Sequence, residues 1–189
     1  MIGPGTSLII FFSLITIAFV LWRSRFFTNV FRSRIEREKT LIEDILKQLF
    51  HVEYSRRTAG LNAMAGALKL SHARLVKIIE LMSSRNLIHQ SQETLSLTPE
   101  GRDYALKIIR VHRLWEKYLS EKTGIDKREW HDRAEEMEHA LTQEQADKLY
   151  KYLGNPRFDP HGDPIPTPKG EMIPLIEVQS LFEASAPKT

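Results

Sequence analysis

Between residues 112 and 139 the chain carries histidines and glutamates at helical spacing. After Asp126, His131, Glu135, Glu138 and His139 stand at offsets of 0, 4, 7 and 8. At 100° per residue these positions fall within an arc of roughly 100°, so one helix face presents all four. His112 and Glu116 share a face of the preceding helix through their i, i+4 spacing. Imidazole nitrogens and carboxylate oxygens converging in this way form the mixed donor set that Mn2+ or Fe2+ accepts. The chain has no cysteine, which removes disulfides, thiolate zinc sites and cysteine nucleophiles. Taken singly, the glutamates read as a solvated face and the histidines as ordinary hydrogen-bonded groups. Taken together, their spacing favours a metal.

The elements that must hold these donors follow from periodicity. Ile35, Leu41, Ile42, Ile45, Leu46, Leu49 and Phe50 recur at three and four, which predicts a first helix from Ile35 to Tyr54. Leu61 to Leu68 is a short alanine-rich apolar stretch, Lys69-Leu70-Ser71 a turn, and Ser71 the N-cap of a helix from His72 to Ser84. Leu75, Ile78, Ile79 and Met82 face its core side. Ser71, His72, Ala73, Arg74 and Lys77 are left at the exposed N-terminal end, where a recognition helix meets base edges and phosphates. Leu87–His89 and Thr94–Thr98, either side of polar residues 90–93, read as a two-stranded wing. Thr98-Pro99 opens a long helix, with Thr as cap and Pro in the first turn.

Charge divides along the same lines. From Leu61 to Trp115 eight basic residues face four acidic ones, whereas from Asp126 to Leu153 five face eight. A basic first half suits a polyanion and an acidic second half a cation. Met1 to Trp22 carries no charge and is mostly apolar, about the 20 residues that a bilayer crossing requires. Arg23, Arg25, Arg32, Arg34, Arg37 and Lys39 follow it, so the positive-inside rule predicts a single-pass anchor in the cytoplasmic membrane with the rest of the chain in the cytoplasm. The expected organisation is mainly α: an anchor and basic segment at 1–34, a winged helix-turn-helix at 35–98, a helical metal-binding and dimerisation domain at 99–154 and a C-terminal tail at 155–189.

Leu97-Thr98-Pro99-Glu100-Gly101, Arg110 to Glu116, His131, Glu135 to His139 and Pro160-His161-Gly162-Asp163-Pro164-Ile165-Pro166 together resemble the diphtheria-toxin-repressor and manganese-transport-regulator family over about residues 42–166. The resemblance implies a winged-helix repressor that dimerises through the helices after the wing and binds double-stranded operator DNA when Mn2+ or Fe2+ is present. By position it implies one metal site at His112, Glu116 and His131 and another at Glu135, Glu138 and His139, with Asp44 on the first helix as a further donor. Glu135 leans the chain towards manganese, since iron-type members tend to have cysteine there. Lys47 departs from the pattern: a second carboxylate is expected in its place, and an ammonium neither ligates nor tolerates a nearby cation. A mononuclear site, or one using His112, His131 and the shared Glu135, is therefore expected. The start of the chain resembles the last helix of a metal-ion transporter permease. Two other classes were weighed: a metallohydrolase, for which no nucleophile motif or phosphate-cradling glycine loop is present, and a membrane-anchored interaction module with a degenerate metal site.

Overall fold

The computed structural model describes residues 34–92 and 94–172. The chain divides into two compact units, 1–41 and 42–189. Of the first, residues 34–41 are helical. The second contains α1 (residues 42–54), β1 (Ala59–Gly60), α2 (Leu61–Ala67), α3 (His72–Ser84), β2 (Ile88–Ser91), β3 (Thr94–Leu97), α4 (Pro99–Lys122), a 3-10 turn (Lys127–Glu129), α5 (Trp130–Glu138) and α6 (Gln143–Tyr152). It is mainly helical with one small sheet. The boundary expected at 98–99 lies within this second unit.

The helix-turn-helix forms where residue type asks for it. Lys69, at φ 53°, makes the turn after α2, and the Ser71 hydroxyl accepts the Arg74 N–H at 3.3 Å to start α3. Leu75, Ile78, Ile79 and Met82 are all buried, while Ser71, His72, Ala73, Arg74 and Lys77 stand exposed. The wing pairs Ile88 with Leu97 and Ser91 with Thr94, so the first strand runs closer to the turn than expected while the second begins at Thr94 as expected. Gln90 and Ser91 belong to the ladder because pairing with β3 satisfies their backbone. The two-residue β1 completes an antiparallel sheet in the order β1-β3-β2.

The junction of wing and α4 is tight. Thr98 caps α4 by accepting the Gly101 N–H at 2.9 Å, and its hydroxyl donates to the Asn86 carbonyl at 2.7 Å. A Cβ at Gly101 would lie 1.8 Å from the Leu87 carbonyl oxygen, so only glycine lets the first turn of α4 approach the wing this closely. Ile42, Ile45, Leu46, Leu49 and Phe50 of α1 are buried with the inner faces of α3 and α4. A second cluster joins Val111 and Leu114 of α4, Ala146 of α6 and Ile165 beyond it.

The anchor and single-pass membrane location are corrected. Among the described residues no helix is long and apolar enough to cross a membrane, and the run at 1–34 expected to do so lies almost wholly outside them.

Candidate metal centre

Three helices bring the predicted donors together. Asp44 and Lys47 lie one turn apart on α1, His112 and Glu116 one turn apart on α4, and His131, Glu135 and Glu138 along α5, with His139 as its C-cap. The donors sort into two groups whose ligand atoms lie within 4.8 Å of one another: His112, Glu116 and His131, and Asp44, Glu138 and His139. Glu135 joins neither. It is half-exposed, with Oε1 3.5 Å from His131 Nε2 and 3.4 Å from Lys47 Nζ. The single α5 face read from the spacing is real but graded. The His131 side chain is 61 % exposed, whereas that of Glu138 is fully enclosed.

Both groups contain a histidine whose Nδ1 is already committed to a carboxylate. His112 Nδ1 lies 2.6 Å from Glu138 Oε2, and His139 Nδ1 lies 2.5 Å from Glu43 Oε2. This leaves each Nε2 turned to the other donors: His112 Nε2 is 3.3 Å from Glu116 Oε1, and His139 Nε2 is 3.5 Å from both Asp44 Oδ1 and Glu138 Oε1. A carboxylate behind a ligating imidazole fixes its tautomer and raises its basicity, so the arrangement fits a divalent ion held by nitrogen and oxygen.

Electrostatics follow from this packing. Burial works against charge on His112, but hydrogen bonds to Glu116 and Glu138 outweigh it and raise its pKa. Burial likewise opposes ionisation of Glu138, yet His112 and the Lys47 ammonium hold its pKa below the ordinary value. Glu116 is lowered in the same way by His112 and His131. For His139 burial is again outweighed, here by Asp44, Glu43 and the charge of Glu138, and its pKa rises to about 9. The donors are hydrogen-bonded to one another as ion pairs, contacts that a bound metal would replace.

Two neighbours were missing from the sequence reading. Glu43 is buried on α1 and accepts the Tyr104 hydroxyl at 2.5 Å as well as meeting His139. Its signal was a carboxylate at an apolar position between Ile42 and Ile45. His161 belongs to a turn in which Asp159 accepts the N–H groups of His161 and Asp163, at 2.8 and 2.9 Å. Buried Arg113 donates to the Pro164 carbonyl, which seats this turn on α4 and leaves His161 Nε2 3.8 Å from Glu116 Oε1. A cleft among Lys47, His112, Glu116, His131 and His161 opens beside the first group.

Comparison with known proteins agrees with this geometry. Residues 98–167 match the family described as "Iron dependent repressor, metal binding and dimerisation domain". The chain is 34% identical over 104 residues to the diphtheria toxin repressor of Corynebacterium glutamicum, covering 54% of this chain and 46% of that protein. It is 31% identical over 172 residues to a "Probable metal transport system membrane protein" of Chlamydia trachomatis, covering 86% of this chain and 38% of that protein. The chain thus spans less than half the length of these relatives. Among solved structures, a manganese-dependent transcriptional repressor in complex with manganese superposes with a TM-score of 0.65 at 31% identity, over 70% of this chain and 61% of that one. The likeness to repressors leaves the metallohydrolase alternative without support, since these relatives are regulators rather than enzymes. The six donors of α4 and α5 all lie within the matched residues, so fold, sequence and site agree in likening residues 98–167 to the metal-binding and dimerisation domain of iron-dependent repressors.

Proposed function

We propose that the chain is a metal-dependent transcriptional repressor of metal-ion homeostasis genes, with Mn2+, or Fe2+, as its effector and double-stranded operator DNA as its target. The observation that carries this reading is that donors from α1, α4 and α5 meet while α3 presents an exposed, basic N-terminal end. His112, Glu116 and His131 would hold one ion; Asp44, Glu138 and His139, with Glu135 beside them, offer the second donor set. A bound divalent ion supplies a fixed positive charge between carboxylates that otherwise have only protons and Lys47 to hold them.

The remainder is done by the chain itself. Asp44 and Lys47 lie on the helix that also supports the wing, so fixing α1 against α5 fixes the reading head against the residues 98–167 through which we infer a homodimer forms. Arg74 and Lys77 reach phosphate, and His72 and Ala73 lie where base edges pass; Ser71 Oγ is already engaged in capping. Restricting this motion before DNA arrives makes binding less costly in entropy, and the coupling is reciprocal, typically about 1 to 3 kcal/mol. Electrophoretic shifts on the gene's own promoter test this: retardation is expected with Mn2+ and weakened by chelator. Equal shifts in both conditions would refute it.

A further inference from the structure

Among the described residues, Lys47 brings a side-chain ammonium into the donor cluster. Its ammonium is 2.6 Å from Glu138 Oε1 and 3.4 Å from Glu135 Oε1, and its side chain is only 15 % exposed. Glu138 Oε1 is also the oxygen that lies 3.5 Å from His139 Nε2, in the Asp44, Glu138 and His139 group. One oxygen is therefore claimed twice: by the ammonium and by whatever ion that group would take. The other oxygen of Glu138 is engaged by His112 Nδ1, so a metal in that group would share Oε1 with the ammonium at close range. The His112, Glu116 and His131 group does not share this conflict, because none of its three members contacts Lys47 in the described ion pairs and hydrogen bonds.

Resting on the metal-dependent reading above, we propose that Lys47 is a tethered counter-ion that takes the place of a second metal: it clamps α1 to α5 through Glu138 and restricts the chain to one divalent ion per subunit, at His112, Glu116 and His131. The ammonium and a divalent ion in the Asp44, Glu138 and His139 group repel each other while competing for the same buried oxygen. The α1 to α5 connection through Lys47 is thus present before any metal binds, and an ion at His112, Glu116 and His131, whose donors lie on α4 and α5, acts on it through the Glu138 carboxylate that also backs His112.

The test is the number of ions bound, read as loss of the free Mn2+ electron paramagnetic resonance signal on titration into the full 189-residue chain. Lys47→Gln removes the charge and retains a donor to Glu138, while Lys47→Arg retains the charge. The expected result is one tightly bound ion per subunit in the parent and in Lys47→Arg, and two in Lys47→Gln, the second gaining affinity by about tenfold or more. Thermal unfolding supplies a second readout: Lys47→Gln is less stable than the parent without metal and gains more from Mn2+. Two equivalent ions in the parent, or a single ion in Lys47→Gln with an unaltered response to Mn2+, would overturn the proposal while leaving a metal-dependent protein. A parent that binds no Mn2+ would instead defeat the functional reading on which it rests, and this proposal with it.

Discussion

The His112, Glu116 and His131 group and the Asp44, Glu138 and His139 group use the same chemistry in different settings. The first joins neighbouring helices of one layer, α4 and α5, and ends in a side chain that is 61 % exposed. The second reaches across to α1 and centres on a carboxylate with no exposure. Because Glu138 also backs His112, the second group supports the first through a buried carboxylate. In the first group His112 and Glu116 are buried and His131 reaches solvent; in the second Glu138 is enclosed while Asp44 and His139 are partly exposed.

The contrast is broken most severely at Glu138. In metal-free protein Glu138→Ala leaves the His112 Nδ1 without this acceptor and the nearly buried Lys47 ammonium with the longer contact to half-exposed Glu135, and a loss of about 3 to 5 kcal/mol in urea unfolding is expected. A loss under about 1 kcal/mol would put this pair on the footing of a surface ion pair and erase the distinction. Next comes Glu43, which meets His139 Nδ1. In the Lys47→Gln background, Glu43→Gln is expected to weaken the second ion by about 10- to 100-fold and leave the first unchanged. Equal weakening of both ions would show that the groups are not separable.

A smaller effect appears in pH dependence without metal. His139 has a folded-state pKa of about 9, above its ordinary 6.5. A raised histidine contributes stability that is complete below the unfolded value and lost as pH climbs through the folded one. The urea midpoint should therefore fall between about pH 6.5 and 9, and His139→Gln should flatten that fall. A slope unchanged by this variant would assign the titration elsewhere. The smallest effect on stability is expected at His131, where replacement by Ala changes metal-free unfolding by no more than about 0.5 kcal/mol. The same variant should abolish tight binding of the first ion, and retention of that ion would remove His131 from the donor set.

The sequence disclosed the helices and the donors better than their surroundings. Ser71, Thr98 and the Leu75 to Met82 stripe mark α3 and α4 by local rules, and local rules are legible without a fold. β1 is two residues long and exists through its partner strand, so no periodicity announces it. Glu43 and His161 owe their places to long-range packing, by Tyr104 in one case and by Arg113 in the other. Lys47 was legible as an anomaly among donors, but its pairing with Glu138 needed the fold, since the two are separated by 91 positions.

At its other end α1 is pinned by Glu53, whose Oε1 accepts the Leu97 N–H of β3 at 2.7 Å while Oε2 pairs with Arg102 of α4. From Asp44 to Glu53 the helix covers about 14 Å, and each added residue would turn one end against the other by roughly 100°. α1 is therefore a shaft with fixed phase: its exposed side chains can be exchanged freely, but a single residue inserted between Lys47 and Glu53 would swing the wing's fastening off its seat while every candidate donor and every exposed residue of α3 remained in the chain.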